Sequence, residues 1–302
     1  MLIKMISIPV TLAFAPLLPG LINKIKAVFA GRQGPPVLQL YFDLFKLLKK
    51  GAVYSTTTTW VFRAGPIVSL ACLLLASLFV PLAGAYSPLS FPGDVVAFAY
   101  LLGMARFITV LAALDTGSSF EGMGASREVT FSILAEPTLF IIFIVLVRCT
   151  GSMSLSTMFG QAVSRMPMKF AASLALIVFS LFIVCLAENS RIPVDDPATH
   201  LELTMIHEVM VLDHGGPDLA FILYGASIKL FLLVALMAHL ILPMDSGDPV
   251  RDWTYFGATV AVLTIVIGMV ESGMARLRMI RVPRLLTAAC MIAIVGMILG
   301  MR

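Results

Sequence analysis

The chain has 302 residues, 59% hydrophobic and only 13% charged, with a formal net charge of +4. A soluble domain carries about a quarter charged residues, so this composition excludes a water-soluble globular fold. The positive excess lies beside apolar runs, where topology and anionic lipid account for it, and nucleic-acid binding is excluded as a reading.

A helix crosses a bilayer in about 20 residues. Apolar runs of that length lie near 5–25, 66–84, 95–114, 129–148, 169–187, 218–242, 254–273 and 283–301. They predict an all-α integral membrane protein of about eight transmembrane helices, forming one polytopic domain over 1–302. The first run contains Pro9, Pro16, Pro19 and Gly20, which predict a kink rather than a stop, because neighbours can satisfy the freed carbonyls. Only Lys4 precedes it and no small-residue cleavage site follows, so it reads as a retained span rather than a signal sequence.

Between the first two spans, Arg32-Gln33-Gly34-Pro35-Pro36 forces a turn. From Val37 to Lys50 apolar residues then recur at helical spacing, with Asp43, Lys46, Lys49 and Lys50 between them. That pattern suits an amphipathic helix lying on the membrane surface, either as an anchor or as a docking surface for a soluble partner. The segment 115–128, DTGSSFEGMGASRE, has the composition of a loop and contributes Arg127 and Glu128. Glu136 follows within the fourth span, where a carboxylate needs water or a partner. It is either a functional acid or one half of an ion pair with an arginine such as Arg106 or Arg127.

The richest segment runs from Glu188 to Gly216. Six of the seventeen carboxylates fall within it: Glu188, Asp195, Asp196, Glu202, Glu208 and Asp213, with His200, His207 and His214 among them. Pro193 and Pro197 break any helix leaving the fifth span and set Asp195 and Asp196 in a turn. Glu202, Met205, His207 and Glu208 are then expected on a short helix tucked into the interface. Crowded carboxylates raise one another's pKa, and histidines beside them titrate in the same range, which suits proton exchange. HEVM lacks the second histidine of a zinc protease, and Cys72, Cys149, Cys185 and Cys290 are scattered through separate spans without cluster-ligand spacing. No metal or cofactor is expected in the chain itself. Lys229 lies near the middle of the sixth span, where a lysine pairs with a carboxylate or lines a hydrated path. Glu271 is shallower and is expected to snorkel. Glu188, Glu136 and Lys229 together suggest a polar track from the cytoplasm to mid-membrane.

The connections 26–65, 115–128, 188–217 and 274–282 share one side, and with Lys24 and Arg284 at their edges they hold thirteen lysines and arginines against six opposite. The positive-inside rule puts them in the cytoplasm and both termini outside. A bacterial-type inner (cytoplasmic) membrane is the expected location.

AENSRIPVDDPATHLELT resembles the acidic loop of the respiratory complex I membrane subunit that bears the quinone site, and of its relatives in energy-converting nickel–iron hydrogenases. The complex I pattern is A-E-x-N-R-x-P-F-D-L-P-E-x-E-x-E-L. Glu188, Arg191, Pro193, Asp195, Pro197, Glu202 and Leu203 match it, whereas Val194, Asp196, Ala198 and His200 depart. THLELTMIHEVMVLD, RQGPPVLQLYFDLFKLLKK, LDTGSSFEGMGASRE with the following AEP, and ESGMARLR are similar to the branch of group 4 hydrogenases and formate-hydrogenlyase-type complexes. The resemblance covers nearly the whole chain in order.

It implies a membrane-anchor subunit, non-catalytic alone, beneath a soluble arm of hydrogenase-like large and small subunits. The nickel–iron centre and iron–sulfur clusters are expected in that arm, and antiporter-like membrane subunits are expected alongside. Glu136, Glu188 and Glu202 would be coupling acids, with Glu208, Asp213 and Lys229 as further candidates. Arg32, Arg127, Glu128, Arg191, Asp195, Asp196 and His207 would shape the loops and the partner interface. The departures at Ala198 and His200 favour a relative that works without quinone. Two other readings stand beside this one: a quinone-site subunit of a NADH–quinone oxidoreductase, and an independent ion transporter. The transporter predicts an internal repeat, which 1–150 and 151–302 do not display.

Overall fold

The computed structural model describes residues 2–83, 87–159, 170–195, 205–242 and 248–300, with side chains from residue 8 onward. Among these, eight helical stretches are long and apolar enough to cross a membrane, in the order and near the positions that hydropathy predicts. The protein is a multi-pass, all-α membrane protein.

The first span is two helices, α1 (Leu2–Phe14) and α2 (Leu17–Phe29), broken at Ala15-Pro16. Proline has no N–H, so Pro16 leaves the carbonyl of Leu12 without its helical donor. The Tyr224 hydroxyl donates to that oxygen at 3.0 Å, and the Tyr41 hydroxyl donates to the neighbouring Ala13 carbonyl. Two tyrosines from other elements therefore complete the kink. Tyr41 belongs to α3 (Gln39–Leu48), the short helix expected from the lysine-studded pattern, and none of its residues is buried. Gly20 makes the turn into α3 possible, since a Cβ there would lie 2.0 Å from the Val37 carbonyl oxygen.

α4 (Trp60–Ser77) and α5 (Asp94–Asp115) pack together. Asp115, the last residue of α5, accepts from Thr59 N at 2.7 Å, Thr59 Oγ1 at 2.8 Å and Phe62 N at 3.3 Å. One carboxylate thus caps the start of α4, where N–H groups have no partner inside the helix. α6 (Ser119–Thr150) has 32 residues, a one-turn helix α7 (Leu155–Thr157) follows, and α8 (Ala171–Glu188) leads into the acidic loop. The segment 115–128 is therefore not a loop: from Ser119 onward it forms the first turns of α6. One of its glycines is needed there. A Cβ on Gly124 would come within 2.2 Å of Val209 Cγ1, so only glycine lets α6 pack this closely on the returning chain.

α9 (Gly216–Ile241) is the central helix, and from Ile228 to Leu240 every residue except Lys229 is buried. A helix apolar on all sides belongs at the middle of a bundle. α10 (Pro249–Gly273) packs on α2 and α9, and α11 (Val282–Gly300) packs on α6 and α8. Small residues bring α8 and α11 together: Ser173 and Ser180 donate to the carbonyls of Gly296 and Ala289 at 2.6 and 2.8 Å. This is the contact expected where lipid provides no hydrophobic drive between helices.

Candidate functional site

Arg106 is the centre of the site. It projects from α5, and its side chain is 7% exposed. Its Nη1 donates to Glu136 Oε1 on α6, and its Nη2 grips both carboxylate oxygens of Glu188 at the end of α8. Its Nε lies 3.2 Å from Glu128 Oε1, one helical stretch away on α6. Lys229 on α9 approaches Glu188 Oε2 at 2.8 Å. Four helices thus contribute three carboxylates and two cations to one cluster. Unpaired charges inside a membrane are expensive, and mutual pairing is what permits these five to sit together.

If all five groups are ionised, the cluster holds one more negative charge than positive. A cavity of about 70 Å³ opens beside it, lined by Arg106, Glu128, Glu188, Lys229 and His207, with the hydroxyl residues Ser69 and Thr109 and an apolar wall that includes Leu73 and Leu102. That is room for a few waters among polar partners. Burial pushes the His207 imidazole below its usual pKa, against the pull of Glu128 and Asp195. A neutral imidazole beside an excess carboxylate is an arrangement through which a proton can be handed on.

A second group of charges holds the acidic loop to the bundle. Asp195 accepts from Ile206 N at 3.0 Å and pairs with Arg276 at 2.8 Å. Arg127 donates to the Met205 carbonyl at 2.9 Å, tying α6 to the loop's return. Arg191 reaches Glu271 Oε1 at 3.4 Å, and Lys26 on α2 reaches Glu271 Oε2 at 3.1 Å. Glu271 therefore does not snorkel. Its side chain is fully buried because two cations from α2 and the loop converge on it. Glu208 opens a short 3-10 helix, Glu208–Val211, so the short helix expected here begins after Met205 and His207. The side chain of Asp213 is exposed, while its backbone N–H donates to Glu121 Oε1 at 3.2 Å. Arg32 is exposed. Asp196, His200 and Glu202 lie outside the described residues.

Of the predicted site residues, the fold brings Glu128, Glu136, Glu188, Lys229 and His207 together, and places Arg127, Arg191 and Asp195 in the loop's supports. The expected track of Glu188, Glu136 and Lys229 is instead a single knot. Arg106 ties that knot, and it was foreseen only as an ion-pair partner for Glu136. Its location within an apolar span was the signal that could have promoted it to a site residue.

Comparison with known proteins agrees with this architecture. The family model described as NADH dehydrogenase matches residues 1–301. Hydrogenase-4 component C of Escherichia coli K12 is 32% identical over 227 residues, covering 75% of this chain and 70% of that protein. Formate hydrogenlyase subunit 4 of the same organism is 30% identical over 282 residues, 91% of each chain. Among solved structures, a chain of the membrane-bound sulfane sulfur reductase, an archaeal respiratory membrane complex, superposes with a TM-score of 0.85 over 98% of both chains. At 20% sequence identity that likeness speaks to the fold alone.

Proposed function

Because this chain belongs to the NADH dehydrogenase family, we propose that it is the membrane-anchor and coupling subunit of a multi-subunit, energy-converting nickel–iron hydrogenase. The likeness to hydrogenase-4 and formate hydrogenlyase subunits favours this over a NADH–quinone oxidoreductase. The nickel–iron centre and iron–sulfur clusters would reside in soluble partner subunits, above the acidic loop on the cytoplasmic side.

The observation that carries the proposal is the Arg106 cluster. Its three carboxylates face two cations, so it gains from taking up one mobile positive charge, a proton or a sodium ion. The acidic loop is fastened to one of the same helices, α6, through Arg127, and to α10 and the segment after it through Arg191 and Asp195. A redox event above the loop that shifts it, or alters its charge, changes the affinity of the cluster for that charge. Each state of the loop then favours a different charge state of the cluster, which is what coupling requires.

On this reading Glu136 would be where the cluster exchanges charge with a neighbouring subunit. Its side chain is 44% exposed, at a groove lined by Phe79, Tyr100, Met104 and Phe107. A half-exposed carboxylate at mid-helix is costly against lipid. An antiporter-like membrane subunit covering the groove would remove that cost and receive the charge.

Mild-detergent isolation of the tagged chain, with metal analysis and a hydrogen-evolution assay, tests the proposal. Nickel, iron and hydrogenase activity are expected to co-elute. NADH–quinone activity without nickel, or a chain isolated alone, would overturn it.

A further inference from the structure

Taking the Arg106 cluster as the coupling site proposed above, we infer that Glu121, His214 and Asp218 form a second site, which loads protons at the acidic-loop end of the bundle and feeds that cluster. Glu121 stands in the first turn of α6, Asp218 in the first turn of α9, and His214 in the turn leading into α9. The three are only 1%, 5% and 6% exposed respectively, so water does not complete them. Glu121 Oε2, Asp218 Oδ2 and His214 Nδ1 are buried without a hydrogen-bond partner. Among the described residues no lysine or arginine pairs with either carboxylate. A buried carboxylate with neither cation nor donor is costly, and a proton shared with a nearby imidazole removes that cost. The described residues hold no group of three His, Cys, Asp or Glu side chains placed to bind a metal ion, which favours a proton over sodium.

The surrounding charges are otherwise engaged. The His214 ring lies flat on Phe62 of α4, and Glu121 Oε1 accepts from the Asp213 N–H at 3.2 Å. The Asp213 side chain turns to water, and Asp115 is committed to its three donors at the start of α4. The Tyr54 hydroxyl lies toward Asp218, while the Arg63 guanidinium sits 4.4 Å over the Tyr54 ring.

Helical register then points the site at the cavity. Residues seven apart share a helix face at about 10 Å separation. Glu121 therefore lies in line with Glu128 on α6, and Phe62, under the His214 ring, in line with Ser69 on α4. Asp218 shares its face of α9 with Ile222, Ala226 and Lys229. Glu128, Ser69, Ile222, Ala226 and Lys229 all line the cavity beside Arg106. One turn inward from the new site, Val110, Ala125, Met210, Val211 and Ile222 pack into an apolar layer that separates the two. A proton held at Asp218 or Glu121 passes to Glu128 when water enters this layer: one carboxyl O–H breaks as another forms, with water as the bridge.

Dicyclohexylcarbodiimide, which adds to protonated carboxyls in apolar surroundings, reads the site in the wild-type complex when its adducts are mapped by peptide mass spectrometry. Labelling of Glu121 or Asp218 is expected near neutral pH, fading in alkaline medium and indifferent to sodium. In inverted vesicles, Asp218→Asn and Glu121→Gln should each slow proton uptake by about tenfold or more, most steeply at alkaline pH, and Asp218→Glu should restore it. A loss equal at every pH and not restored by glutamate would mark the residues as structural and overturn the inference. No adduct on either carboxyl, protection by sodium, or wild-type uptake in both neutral variants would also overturn it. The coupling reading fails separately: Glu188→Gln that transports like the wild type sinks that reading and leaves the labelling of Glu121 and Asp218 unchanged.

Discussion

Three carboxylates surround Arg106 and Lys229 supplies the second positive charge, so deleting different members has unequal consequences. Arg106→Gln leaves Glu128, Glu136 and Glu188 against Lys229 alone. Removing one partner of a buried ion pair costs about 3–5 kcal/mol, so that variant should melt far below the wild type or fail to assemble. Glu188→Gln leaves two carboxylates against two cations and keeps the side-chain shape. Because Lys229 loses the carboxylate it approaches, this variant should assemble with a melting temperature between those of the wild type and Arg106→Gln, yet lose ion uptake in inverted vesicles while the soluble arm still turns over. Equal destabilisation by both substitutions would recast Glu188 as structural. Glu188, Glu136 and Lys229 were legible as candidates because each is an ionisable residue in apolar sequence. Their convergence was not, since it depends on α5, α6, α8 and α9 meeting, and contacts between distant helices leave no local pattern. Glu271 shows the same limit: its depth in sequence looked shallow, and only the approach of Lys26 and Arg191 reveals it as buried.

At the scale of elements, hydropathy located all eight spans because a bilayer demands about 20 apolar residues whatever the tertiary packing. It failed at the start of α6, where Gly122, Gly124 and Ser126 read as loop. Gly124 is small because Val209 and Met210 press against it, a reason that composition cannot carry. The kink of the first span was visible in its prolines, but its satisfaction by Tyr224 and Tyr41 was not. Tyr224→Phe keeps the ring and removes the donor to the Leu12 carbonyl. It should destabilise the subunit by about 1 kcal/mol, a value between membrane and water-soluble estimates for one such bond. Detergent-titrated unfolding reads this directly, and an unchanged midpoint would mean that water replaces the tyrosine.

For the molecule as a whole, pH acts through the loop histidines. Burial lowers the pKa of His207, and also of His214, against the opposing pull of Asp218 and Asp213. The His214 ring is stacked on Phe62 with centroids 3.9 Å apart. Both groups bind protons less readily folded than unfolded, so the unfolded state gains protons first as pH falls. Their stabilisation is complete above the unfolded histidine value of about 6.5 and is lost as pH drops through it. The melting temperature of the purified protein should fall between about pH 7 and 5, above the range where free carboxylates titrate. The double variant His207→Gln, His214→Gln should flatten that fall; an equal decline would assign it elsewhere.

The bond between Tyr224 and Leu12 joins residues 212 positions apart in the chain. Translated into the order of synthesis, the carbonyl freed by Pro16 enters the membrane long before its donor has left the ribosome. Until the sixth span arrives, the nascent first span holds an exposed dipole in hydrocarbon, and it is the sixth that closes the first. Membrane insertion of this protein is thus not a string of finished helices laid down one by one: its opening segment is completed only when the centre of the bundle is in place.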